Sequence, residues 1–369
     1  MYTALDSRTA YLYNRLENVY EIGLFMIQNK FAEKANVTIR DVARMAGVSE
    51  ATVSRVINGV DGVSEPLLER VNGAIEALHY KPNSAARALK GKSSKTLGLI
   101  IPSVENPVFA QVVSHIERAA QRYGFSIILC SSEGDIRNEE RYIEFLIEKQ
   151  VDGILFDATG HYSDVFGELK SYGVPTVVIG KPIPGLAVTS VSVGNYDGAR
   201  IACTHLIRTG CRKIVFLSSK YDALSALEDR FRGYCDALTE NGLPINDAFV
   251  HQSATSYQAA TEKTLGMIAS GLRFDAVFAS NDVLAIGCMN TLIDYGLRVP
   301  EDVSIMGYDD IPFSMMTRPR LSSVNNNIEA LAGLAVKELL RIIYTRRDEV
   351  KSRCLDPELV LRETTRPIG

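Results

Sequence analysis

Apolar positions change their period partway along the chain. Over residues 38–79 they recur at the three-to-four spacing of amphipathic helices, in short runs. Thr38 followed by Asp41 forms a capping-box-like start and predicts a helix to about Ala46. Gly47 supplies a turn, Ser49 caps a second helix to about Ile57, and Asn58-Gly59 closes it. Ser64 opens a third helix with Leu68, Val71, Ile75 and Leu78 on one face, and Val42, Ala46, Val48, Val53 and Ile57 complete a small core. From Thr96 the rhythm becomes that of buried strands alternating with helices. "TLGLIIP", "FSIILCSS", "GILFD", "PTVVIG", "KIVFLSS", "AVFAS" and "VSIMGYD" are continuous apolar runs, the pattern of a parallel sheet covered on both faces. These are too many strands for one comfortable sheet, and a break at "SVSVGNYDGA" (190–199) predicts two α/β lobes in series, with ligand positions at the carboxyl ends of strands.

Two segments fit neither rhythm. "PNSAARALKGK" (82–92) has helix-forming residues after Pro82 but only Leu89 as a large apolar side chain. Isolated helices below about 12–15 residues are marginal in water, so something outside it must hold such a helix. Residues 1–36 carry Leu12, Leu16, Val19 and Met26 at helical spacing, interrupted by Gly23. They read either as a short amphipathic helix or as a loose extension, and no function is assigned to them.

Composition narrows the class. With 46% apolar and 23% charged residues among 369, the chain is an ordinary globular protein of two or three domains. Its net charge of −4 hides an asymmetry: Lys81, Arg87, Lys90, Lys92 and Lys95 fall within residues 81–95, where no acid occurs. A small basic segment on an acidic body points to a polyanion-binding module joined to something else. Cys130, Cys203, Cys211, Cys235, Cys288 and Cys354 are scattered without a CxxC pair, as reduced cytosolic thiols would be. No apolar run approaches the roughly 18 residues of a membrane span, and no basic flank precedes an apolar core at the start. A cytoplasmic chain is therefore expected. GxSxG, P-loop, HExxH and strand-following GxGxxG patterns are absent, so neither enzyme chemistry, a metal nor a cofactor is expected.

The segment "VTIRDVARMAGVSEATVSRVING" (37–59) carries the sharpest chemistry. Two short helices about Gly47 form a helix-turn-helix, whose second helix fits a major groove about 12 Å wide. Val53 and Ile57 face inward on it, while Glu50, Ala51, Thr52, Ser54, Arg55 and Asn58 face outward, small hydrogen-bonding groups with one Arg. Together with "LHYKPNSAARALKGK", "LGLIIP", "KQVDGILF", "SNDVLAIG" and "VPEDVSIMGYDD", in that order, this segment resembles the LacI/GalR family of bacterial transcription regulators, from residue 37 to about 366.

The resemblance implies a small all-α helix-turn-helix headpiece (37–81), a hinge helix and linker (82–95), and an α/β two-lobed, periplasmic-binding-protein-like effector domain (96–369). It implies an N-lobe of about 96–195 and 327–354 and a C-lobe of about 196–326 and 355–369. It implies double-stranded operator DNA as partner, contacted by Thr38, Ser49, Glu50, Ala51, Thr52, Ser54, Arg55 and Asn58 from the headpiece. Asn83, Ala86 and Leu89 would act from the hinge. In a homodimer, or a pair of dimers, two hinge helices would pair in the minor groove, with Leu89 as the wedge at the central base step. It also implies a sugar-type effector between the lobes, contacted by Phe109, Arg230, Asn281 and Asp309, with Lys181 facing them. Gly180-Lys181, where many members carry an acid, favours a ligand with some negative charge. The expected function is a repressor whose operator affinity the effector changes. The rivals are co-repression and, in another class, a solute-binding protein with a vestigial headpiece.

Overall fold

The computed structural model describes residues 37–57, 62–80, 93–157, 169, 171–182, 186–219, 225–347 and 349–368. Residues 1–36, the hinge positions Asn83, Ala86 and Leu89, and Asn58 lie outside the described residues. The chain divides into two compact units, residues 1–87 and 88–369.

In the first unit, helix α1 (Ile39–Ala46) begins where the Thr38 amide and hydroxyl both donate to Asp41 Oδ2, at 3.0 and 2.7 Å. It ends at Gly47, whose φ of 64° is open to glycine at little cost. A Cβ there would lie 2.8 Å from Arg70 Nη2, because Arg70 donates to the Ala46 and Gly47 carbonyls at 2.5 and 3.3 Å. Helix α2 (Glu50–Ile57) and helix α3 (Glu65–Ala77) close a core in which Val42, Val53 and Val71 are wholly buried. Leu68 is 41% exposed, so the inner stripe of α3 runs through Val71 and Ala74 instead. Two eight-residue helices cover only part of a thirteen-residue third one.

The second unit holds two parallel sheets. The first contains β1 (Thr96–Ile101), β2 (Ser126–Ser131), β3 (Gly153–Asp157), β4 (Thr176–Ile179), β5 (Thr189–Val193) and β11 (Ser352–Leu355), in the order β11-β5-β4-β3-β1-β2. Helices α4 (Pro107–Gln121) and α10 (Ile328–Thr345) pack on one face, and α5 (Ile136–Glu148) packs on the other. The second sheet contains β6 (Ile214–Ser219), β7 (Val250–Ser253), β8 (Ala276–Ala279) and β9 (Ser304–Met306), in the order β7-β6-β8-β9. Helices α6 (Asn195–Arg208) and α7 (Ala226–Glu240) cover one face, and α8 (Tyr257–Ala269) and α9 (Asp282–Asp294) cover the other. An antiparallel pair, β10 (Ser323–Asn325) with β12 (Glu358–Val360), adjoins this lobe. The chain passes between the lobes three times: from β5 into α6, from β10 into α10, and from β11 into β12. Every strand ladder of the two large sheets is parallel, so each sheet gathers its strand ends along one rim.

Candidate functional site

Helix α2 presents Glu50, Ala51 and Arg55 to solvent, while Thr52 and Ser54 are half-buried. Ser49 caps this helix: its Oγ accepts the Thr52 amide at 3.1 Å and shares a 2.9 Å hydrogen bond with the Thr52 hydroxyl. Glu50 is paired with Arg40 Nε at 3.1 Å on the open surface, so its carboxylate already has a cation beside it. The Thr38 hydroxyl is engaged with Asp41. The clamp formed by Arg70 was not foreseen from sequence. It sits on the third helix, and nothing in local spacing links it to Gly47 twenty-three positions earlier.

In the second unit a cavity of about 750 Å³ lies between the two lobes. Phe109, Lys181, Arg230, Asn281 and Asp309 all line it, together with Asp157, Asn195, Ser219, Thr255 and Asn326. Arg230 is its fixed point. The guanidinium lies 3.5 Å above the Tyr308 ring, and Nε donates to Asn195 Oδ1 at 2.8 Å. Nη1 donates to the Ser280 carbonyl and Nη2 to Asp309 Oδ1 at 3.3 Å. Three of its five N–H groups donate in these contacts. Asp309 Oδ1 also accepts from Asn326 Nδ2 at 2.8 Å. Burial raises the pKa of Asp309, and the neighbouring Arg230 opposes that rise.

Backbone strain accompanies this geometry. Asp309 has a φ of 99° and Asp310 a φ of 52°, a region L side chains rarely adopt. The turn is held by Asp309 N donating to the Val324 carbonyl at 2.8 Å and Asp310 N donating to Ser323 Oγ at 3.1 Å. An Arg362–Asp310 ion pair of 2.6 Å holds it from a third side.

Asn281 caps α9 by accepting the Leu284 amide at 3.0 Å, and its Nδ2 reaches Ser219 Oγ at 3.4 Å. It is both a cap and a cleft residue. Phe109 is half-buried at the edge of the first-lobe core and turns toward the cavity. Asp157, at the end of β3, was missed as a site residue. Burial first, and then the Glu139 carboxyl, push its pKa up to about 8. A carboxylate at the end of the run "GILFD" was the signal available for it.

Lys181 faces the second lobe, but as a paired cation. Its ammonium lies 2.8 Å from Asp229 Oδ2 on α7, and Arg232 Nη1 lies 3.5 Å from the other oxygen, Oδ1, of the same carboxylate. The expected preference for an anionic ligand loses support, because the Lys181 ammonium already has a carboxylate beside it across the cleft.

Residues 38–83 match the family model for bacterial regulatory proteins of the lacI family, and residues 203–365 match that for a periplasmic binding protein-like domain. The chain is 34% identical over 334 residues to the HTH-type transcriptional repressor PurR of Haemophilus influenzae (strain PittEE), covering 90% of this chain and 99% of the relative. This protein belongs to the LacI family. It is therefore a DNA-binding transcription regulator and not an enzyme. Among solved structures, this LacI-family chain is similar to the lac repressor dimer bound to operator and the anti-inducer ONPF, with a TM-score of 0.81 and 28% identity over 90% of this chain and 99% of that one. It is also similar to the transcriptional regulator CelR–cellobiose complex, with a TM-score of 0.68 and 30% identity over 89% and 99% of the two chains. Among the described residues of this regulator no helix is long and apolar enough to cross a membrane.

Proposed function

We propose that this regulator binds a two-fold operator as a homodimer, and that a neutral, hydroxyl-rich molecule of sugar type held between the lobes lowers its operator affinity. The observation that carries this reading is the pairing of charge in the cleft. Arg230 is matched by Asp309 and Lys181 by Asp229, so an anion would have to displace an acid to bind. A polyol needs no such exchange. Its hydroxyls would donate to Asp309 and to the Asn281 side-chain oxygen, and accept from Asp157 and Arg230, all of which line the cavity. Phe109 offers an apolar face to the ring. The related CelR has been solved with cellobiose, a neutral sugar. On the DNA side, Ser49, Glu50, Ala51, Thr52, Ser54, Arg55 and Asn58 are assigned to the major groove and Asn83, Ala86 and Leu89 to the minor groove.

Fluorescence anisotropy of a genomic operator fragment, titrated with protein against a panel of neutral sugars, sugar acids and sugar phosphates, tests the reading. A neutral sugar should weaken binding by about 5–150-fold, a coupling of 1–3 kcal/mol. Release by phosphorylated or acidic sugars alone would overturn the neutral class. Tightening by a sugar would reverse the sign and make the ligand a co-repressor.

A further inference from the structure

Asp282 is wholly buried, one residue beyond Asn281 and outside the lining of the cleft. Its carboxylate collects donors from two distant segments. Oδ2 accepts from the Ile311 amide at 2.8 Å and from Ser314 Oγ at 2.7 Å, both just after the strained Asp309–Asp310 turn. Oδ1 accepts from Ser323 Oγ at 2.6 Å, at the first residue of β10. Ser323 Oγ itself accepts the Asp310 amide at 3.1 Å, so the hydroxyl sits between turn and carboxylate. Two residues further along, Asn325 Nδ2 donates to Asp310 Oδ2 at 2.9 Å, and Asn326 binds Asp309. At Ile328 the chain enters α10 in the other lobe. Even the backbone beside it is shaped for this carboxylate, since a Cβ on Gly307 would lie 2.1 Å from Asp282 Oδ1.

An acid in the first turn of a helix is ordinary, because the N-terminal amides favour negative charge. That accounts for an exposed acid, not for one fully buried next to a like charge at Asp309, where desolvation is costly. The donors it gathers are those that join the two cleft residues to the strand leaving the lobe.

We propose that Asp282 is a positioning residue for the effector response: it ties the Asn281 helix end, the Asp309 turn and the crossover strand β10 into one unit, so that a ligand drawing on Asn281 and Asp309 also moves the strand that enters the other lobe. The inference rests on the cleft being the effector site, but the tie itself can be tested without ligand.

Hydrogen exchange on the ligand-free, full-length chain compares Ser323→Ala, which cuts the tie to β10, with Ser314→Ala, which leaves it. Ser323→Ala should speed exchange of the Gly307, Asp309 and Val324 amides by at least about tenfold while amides inside β6 and β8 stay unchanged. Ser314→Ala should leave the Val324 amide unchanged. Equal acceleration throughout the lobe, or no difference between the two variants, would overturn the proposal. The second arm measures the effector response of Ser323→Ala, which removes the bond to β10 and leaves Asp282 its bonds to Ile311 and Ser314. The variant's affinity for whichever neutral sugar releases the unaltered protein should stay within about threefold, while the ratio of operator affinities with and without that sugar falls toward one. A ratio that persists sinks the positioning role. If the unaltered protein responds to no ligand, the effector reading fails, and the exchange comparison still decides whether the tie exists.

Discussion

At the scale of single residues, the cleft is built by placing groups that would be costly if left alone. Arg230 is buried with an aromatic face beneath it and acceptors at its edge, which fixes the fork before any ligand arrives. Asp309→Ala removes the carboxylate and leaves this guanidinium without its counter-charge. The expected outcome is loss of the ligand response, with operator affinity near normal, read by anisotropy with and without ligand. On the DNA side, Arg55 is exposed on α2, where an Arg can read guanine. Arg55→Ala should cost about 1–3 kcal/mol on the operator and flatten discrimination at one base pair per half-site. Equal losses on operator and random DNA would show that it only touches phosphate. The pairing of Glu50 with Arg40 makes a prediction of its own: Glu50→Ala releases a cation on that surface and should tighten binding to all sequences alike, unless Glu50 reads a base.

At the scale of elements, turns and strand edges decide what the helices and sheets can present. Gly47 holds the two helices of the DNA-reading pair at a positive φ with Arg70 against it. Gly47→Ala should lower the stability of the headpiece by about 1 kcal/mol or more, seen as earlier melting of the isolated DNA-binding activity in a thermal challenge. Lys181, after β4, and Asp229, on α7, join the two lobes by an ion pair that is one-third and one-sixth exposed at its two side chains. Such a pair is worth little in stability, about 0–1 kcal/mol, but it bridges the two lobes across the cleft. Lys181→Ala should therefore leave the melting temperature nearly unchanged while altering neutral-ligand affinity and making it less sensitive to salt. Strand legibility followed burial chemistry. The apolar runs were readable as strands. "TSVSV" forms β5 although it alternates hydroxyl with valine, and every residue in it is buried. "VHQS" forms β7 at a sheet edge, and "SRCL" forms β11 at another. Their polar side chains are tolerated because β5 spends its hydroxyls on β11 and the 349–353 backbone, and because edge strands face water on one side.

At the scale of the whole molecule, two lobes meet over a cavity whose floor carries an acid with a raised pKa. For Asp157 the unfolded chain ionises near 3.8 while the folded chain holds its proton to about 8. Over that window the unfolded state binds fewer protons, so this group's contribution makes stability fall as pH rises, with the full loss reached above about 8. Asp157→Asn should flatten the melting-temperature profile between about pH 4 and 8 and raise the midpoint at pH 9 by at least about 2–4 °C, the shift that 1 kcal/mol gives in a large domain. An unchanged profile would mean that Asp157 is ionised in the fold at neutral pH. Apolar period and capping residues indicated the three short helices and a parallel α/β body, because helical and buried-strand patterns are properties of contiguous sequence; they pointed to two lobes in series, and the three crossings between the lobes were decided by the tertiary structure. Motif order pointed to the family for the same reason. The tertiary structure alone decided which charges are paired. Lys181 with Asp229, Arg70 with the turn at Gly47, and Asp282 with Ser323 are separated by 23 to 48 positions, and no local period encodes such contacts. The conformation of Asp309 and the raised pKa of Asp157 belong to the same class, since strain and desolvation exist only once the neighbouring elements have closed around them.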